Sequence, residues 1–112
     1  MKFRALILLL LLASCTKKQE APAADQATPD QLIVRGKSIY TLNCIACHNA
    51  NPKLDGAIGP SINGSSLELI QARVMNASYP AGYKPKRTTS QMVALKHLEK
   101  ELPALHAFLN AQ

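Results

Sequence analysis

From Pro29 onward, apolar and small side chains recur at helical spacing in three stretches. Leu32, Ile33, Gly36, Ile39, Tyr40 and Asn43 fall on one side of the first, in the three-to-four-residue rhythm that gathers side chains on a single helix face. Its start is marked by Thr28 as N-cap, Pro29 at the first helical position and Asp30 in the first turn, where a carboxylate meets the positive end of the helix. A second stretch is signalled by Ser65-Ser66-Leu67-Glu68, which reads as a capping box, followed by Leu67, Ile70, Val74 and Met75. The third runs from about Glu99 to Asn110 with Leu102, Leu105, Phe108 and Leu109 on one face, and Pro103 is acceptable there only in the first turn. Residues 49–64 and 76–92 between them are rich in Gly, Pro and Asn, and no run alternates with the period of a strand. The pattern predicts an all-α domain of three main helices joined by long loops.

The other apolar run, Ala5 to Ala13, follows the basic start Met1-Lys2-Phe3-Arg4. It is too short for a retained anchor helix, since crossing a bilayer takes about 20 apolar residues. A basic start, a short apolar stretch and small residues beyond it are the layout of a secretory signal, here residues 1–14. Thr16 to Thr28 has almost no large apolar side chain and is rich in Ala, Gln and charge, so it cannot bury enough surface to fold. Residues 15–28 are expected to form a flexible tether with a reach of about 20 Å, which leaves 29–112 as the folded domain.

Loss of residues 1–14 removes Lys2 and Arg4 but no acid, so the formal charge falls from +6 to +4, with 11 Lys and Arg against 7 Asp and Glu. This mild basic bias suits acidic partner surfaces or anionic headgroups. It is too weak for a nucleic-acid binder, and no pattern of interleaved aromatic and basic residues supports one. The whole chain has two phenylalanines, three tyrosines and no tryptophan. A core that thin in a domain this small needs a staple.

The cysteines are Cys15, Cys44 and Cys47. Cys44-Ile45-Ala46-Cys47-His48 is a C-x-x-C-H motif, the attachment signature of c-type haem. Two thiols three residues apart at a helix end can reach the two vinyl groups on one porphyrin edge, and the adjacent histidine then faces the iron. Competing readings fit less well. A thioredoxin-like pair would sit in a βαβ pattern, a zinc site would need a second Cys/His cluster, and a disulfide across so small a loop would constrain little.

With that motif in view, residues 29–112 resemble a class I monohaem cytochrome c. Gly36 with Tyr40 resembles the family's N-terminal helix, where a glycine admits the C-terminal helix, and Phe108-Leu109 resembles the aromatic-Leu pair brought to that crossing. Ile58-Gly59-Pro60-Ser61-Ile62-Asn63-Gly64 resembles the loop after the haem motif. The resemblance implies three helices wrapped around one covalent haem c, attached through Cys44 and Cys47, with iron held by His48. It also implies that the Pro60 carbonyl accepts a hydrogen bond from that histidine. Leu12-Ala13-Ser14-Cys15 resembles the lipobox of bacterial lipoproteins, which implies cleavage before Cys15 and lipid on its thiol. Several acyl chains hold a protein on a membrane where one does not.

For the sixth iron ligand the candidates are Met75, Met92, His97 and His106. Met75 falls on the apolar side of the second helix, where methionine more often fills the core, and His106 lies within the last helix. Met92 precedes the last helix, where the family places its ligand, and is favoured over His97; Thr88, Thr89 and Ser90 before it offer hydroxyls to support the loop. Val93 follows where many family members have proline, which implies a less rigid loop. Lys84, Lys86 and Arg87 form a basic cluster with three readings: a solvated loop, a rim of the exposed haem edge that steers an acidic partner, or a contact of one of them with a haem propionate; Tyr79 and Tyr83 beside them either line the haem crevice or cap it. The function expected is single-electron transfer with redox-protein donors and acceptors on the periplasmic side of a bacterial membrane, Thr16 after the lipobox favouring the outer one. The alternatives are a five-coordinate haem enzyme or gas sensor, and a haem subunit of a larger redox enzyme.

Overall fold

The computed structural model describes residues 24–88 and 90–112. The signal, Cys15, most of the tether and Thr89 therefore lie outside the described residues. The tether's described end forms a short 3-10 turn, Ala24–Gln26, before the first helix. Helix α1 spans Pro29–Asn43, α2 spans Leu67–Asn76 and α3 spans Leu102–Asn110, with a 3-10 helix at Lys96–Glu101 leading into α3. The described residues contain no strand, as the periodicity predicts. None of their helices is long and apolar enough to cross a membrane.

Helix α1 begins as expected at Thr28, whose hydroxyl accepts the Gln31 amide at 3.3 Å. Gln31 returns its side-chain oxygen to the Thr28 amide at 2.8 Å, completing a capping box. The box expected for α2 is corrected. Ser66, not Ser65, is the N-cap and accepts the Leu69 amide at 3.2 Å, while Ser65 donates to the Ile62 carbonyl at 2.6 Å. Glu68 thus sits one position too early to reach back to the cap, though it still faces the positive end of the helix. Ile70 and Val74 of α2 are buried, whereas Leu67, expected on the same face, is exposed. The start of the last helix is also later than expected. Pro103 has no N–H and crowds the preceding turn, so the α-helix starts at Leu102 and the residues before it wind as a 3-10 helix.

Helices α1 and α3 cross at Gly36. A Cβ built there would overlap the Ala104 backbone and lie 2.7 Å from the Phe108 Cβ, so the close approach requires a residue without a side chain. One turn on, the buried Tyr40 ring meets Phe108 with centroids 5.4 Å apart and planes tilted by 47°. Arg35 Nε donates to Glu101 Oε2 at 2.6 Å beside the crossing. Tyr40, Ile70, Val74, Leu98, Leu102, Leu105, Phe108 and Leu109 make up the core. The loop ahead of α2 is pinned to α3 by the Gly64 amide on the Leu109 carbonyl at 2.9 Å and by Asn110 Nδ2 on the Ser65 carbonyl at 3.0 Å.

Two substitutions test this framework in the haem-bearing protein. G36A is expected to lower unfolding free energy by about 3 kcal/mol, seen as a lower guanidinium midpoint at unchanged slope. Ala77 ends α2 in the left-handed region at φ 51°. There A77G is expected to raise stability by about 0.5–1 kcal/mol, because glycine relieves the side-chain clash while losing more chain entropy on folding. An unchanged midpoint for G36A would show that the helices do not meet at that point.

Candidate functional site

The C-x-x-C-H segment is the continuation of α1. The Cys44 amide donates to the Tyr40 carbonyl at 2.9 Å and so ends the helix, and the Cys44 carbonyl then accepts the Cys47 amide at 3.1 Å and the His48 amide at 2.8 Å. This tight turn puts both cysteines and His48 on the wall of one cleft. Cys44 is half-buried and Cys47 exposed, and the two are not joined to each other. Burial, reinforced by the charge of Cys47, pushes the Cys44 thiol up to about 11. Tyr40 Oη donates to the Asn49 carbonyl at 2.6 Å just beyond the motif, and burial holds that phenol as a donor by pushing it up to about 12.

The loop after the motif folds back on this turn. The Ile58 and Gly59 amides both donate to the Cys47 carbonyl, at 3.3 and 2.9 Å, and the Gly56 amide donates to the Gly59 carbonyl at 2.9 Å. The fold delivers the Pro60 carbonyl to His48 Nδ1 at 2.8 Å. A carbonyl only accepts, so Nδ1 carries the proton and Nε2 is left with its lone pair free. Gly59 packs flat against the imidazole: a Cβ there would lie 2.5, 2.6 and 2.9 Å from three ring atoms. Asp55 braces the same loop by accepting the Ser61 amide at 2.7 Å. That hydrogen bond, with Arg87 nearby, holds its carboxyl below the usual carboxylate range.

Of the candidates for a second axial donor, Met92 lines the cleft that His48 lines, half-buried against the core. His97 is exposed in the 3-10 helix, Met75 packs on the core, and neither they nor His106 line the cleft. Tyr79 and Tyr83 do line it, stacked with centroids 5.3 Å apart and planes within 7° of parallel. The Arg73 guanidinium lies 4.2 Å over the Tyr79 ring, a contact with no local sequence signal beyond the spacing of the two residues. Ile62, Leu69, Ile70, Val74, Leu105 and Leu109 give the cleft an apolar interior. Lys86 and Arg87 are not simply solvated: both reach across to the 56–61 loop, whereas Lys84 is exposed. Asp55 and Gly56 were not singled out from the sequence, where a lone acid and a glycine in a polar loop carry no distinctive signal.

The residues present fit a haem. An apolar cleft has paired thiols on one wall, a histidine in the tautomer that metal ligation requires, and a thioether bordering the same space.

No curated protein matches the chain. A sequence model of the family described as cytochrome c matches residues 33–112, which begin in the second turn of α1, take in both cleft loops and end beyond α3. Since the likeness extends over nearly the whole folded unit and not the C-x-x-C-H motif alone, the chain belongs to the cytochrome c family, whose members carry covalent haem c and transfer electrons through it.

Proposed function

We propose that the chain is a lipid-tethered periplasmic electron carrier, with haem bonded through Cys44 and Cys47 and its iron held between His48 and Met92. The observation that supports this reading is the 2.8 Å contact of His48 Nδ1 with the Pro60 carbonyl, which leaves Nε2 as the nitrogen available for ligation in a residue that lines the same cleft as Met92. A bound haem supplies a one-electron Fe(II)/Fe(III) couple. The Pro60 carbonyl fixes the imidazole plane and raises the basicity of Nε2. Met92 would bring a soft thioether to the metal, which would favour the reduced state. Iron held by both residues would offer no open position to a substrate, which supports a carrier over an enzyme. The apolar walls keep water from the couple.

A bound haem would exchange electrons where the cleft opens to solvent. Ile58 and Val93, 42% and 68% exposed, offer apolar contact there, and the exposed Lys84 nearby offers charge to an acidic partner. Lipid on Cys15 and the tether 15–28 would hold the domain at the periplasmic side of the membrane, the outer one favoured by Thr16, while leaving it free to turn toward successive partners.

The oxidised protein is expected to show the near-infrared sulfur–iron charge-transfer band, and the reduced protein to resist carbon monoxide at neutral pH. M92A should abolish the band and speed carbon monoxide binding by at least about a hundredfold, as expected when a ligand bond of several kcal/mol is removed. A wild-type protein that lacks the band and binds carbon monoxide freely would refute the axial pair. G59A tests the other side. Its methyl group would push the imidazole off the Pro60 carbonyl, cost about 2 kcal/mol of stability and lower the iron–histidine stretching frequency, with the sulfur–iron band retained.

A further inference from the structure

We infer that Arg87 is a positioning residue that keeps Met92 at the metal by tying the segment that carries the methionine to the loop that orients His48. The inference takes as its ground the axial roles proposed above. The connection from α2 to the 3-10 helix is long, and its described residues between Ala77 and Leu95 have no regular structure. Its ends are fastened by backbone bonds, Ser78 N on the Ala72 carbonyl at 3.1 Å and Leu95 N on the Val74 carbonyl at 2.6 Å. In its middle, among the described residues of 84–94, only Lys86 and Arg87 hydrogen-bond outside the segment.

Arg87 makes the more directed attachment. Its Nη1 donates to the Ile58 carbonyl at 2.8 Å and its Nη2 to the Gly56 carbonyl at 3.1 Å, with Asp55 Oδ2 3.5 Å from Nη2. The two carbonyls belong to residues whose own amides are already spoken for: Gly56 N on the Gly59 carbonyl and Ile58 N on the Cys47 carbonyl. The guanidinium therefore grips a turn that is rigid on its far side, the same turn that presents Pro60 to His48. Lys86 adds one flexible contact, Nζ to the Ser61 carbonyl at 2.7 Å and to its hydroxyl at 3.3 Å. A planar fork holding two fixed acceptors restrains direction as well as distance, which an ammonium on a four-carbon stem does not. Four residues lie between Arg87 and Met92, so anchoring Arg87 shortens the free span that Met92 must be held by, and Val93 in place of proline supplies no stiffening of its own.

The test uses the haem-bearing wild type, R87A, R87K, R87M and M92A, each scored for the sulfur–iron band and for carbon monoxide binding to the reduced form. R87A is expected to weaken the band and bind carbon monoxide about tenfold faster than wild type, while staying well short of M92A. R87K should recover only part of the difference, because charge returns without the fork. R87M keeps the aliphatic stem and replaces R87A if the alanine variant does not accumulate with haem. An R87A or R87M protein with wild-type band and wild-type carbon monoxide kinetics, in a background where M92A changes both, would overturn the positioning role and leave the axial pair standing. Loss of the band already in the wild type would instead overturn the axial pair, and this inference with it.

Discussion

The approach of α1 to α3 at Gly36 sets the geometry that everything else inherits. Because no side chain stands between the helices there, the Ala104 backbone and the Phe108 side chain come close enough to fix α1 in both direction and depth. Tyr40, one turn further, is then buried against Phe108 and its hydroxyl is spent on the Asn49 carbonyl. The cysteine and histidine turn lies between these two fixed points, so its position follows from a contact made well outside the cleft. A substitution that spread the crossing would move Cys44, Cys47 and His48 together, without touching any of them.

What the helices do not supply, the loops obtain from carbonyl oxygens. The Cys47 carbonyl collects two amides from the following loop, the Pro60 carbonyl takes His48, and the Ile58 and Gly56 carbonyls take Arg87. Each is a main-chain acceptor, and none depends on a neighbouring side chain being conserved in kind. Two consequences follow. Apart from Asp55, whose carboxylate braces the Ser61 amide, the loop is held through its backbone path, and the path itself depends on Gly56 and Gly59, where a Cβ would collide with the Cys47–His48 backbone or the imidazole. Order in a stretch without secondary structure thus comes from a few well-placed acceptors and the glycines that let them approach.

How much of this was legible in the sequence depended on the range of the interaction. The helices and their caps are local, and Thr28 with Pro29 marked the start of α1 correctly, whereas the offset from Ser65 to Ser66 turned on one residue of register that spacing alone does not decide. Cys44, Cys47 and His48 stood out because three residues of uncommon type coincide within five positions. Pro60 and Met92 were reachable only through likeness to a family, since nothing local says that a carbonyl twelve residues on will meet an imidazole. The Arg87 attachment, 29 and 31 residues from its partners, left no trace in periodicity or composition; three basic residues in a polar loop look the same whether they face water or grip a turn.

Lys86 and Arg87 are drawn inward to backbone oxygens, and that bears on how a mildly basic protein meets its partners. A guanidinium that gives one Nη1 and one Nη2 hydrogen to two carbonyls still contributes its charge to the surrounding field, but it is held in one orientation and does not turn freely to meet an incoming carboxylate. Approach of an acidic partner would therefore feel the sum of Lys84, Lys86 and Arg87 at a distance, while close contact would fall to Lys84 and to the exposed apolar side chains of Ile58 and Val93 at the cleft mouth. Charge that steers without locking, next to an apolar patch that is small, favours brief encounters over tight complexes. If the domain takes an electron from one protein and releases it to another, as proposed, rapid separation matters as much as recognition.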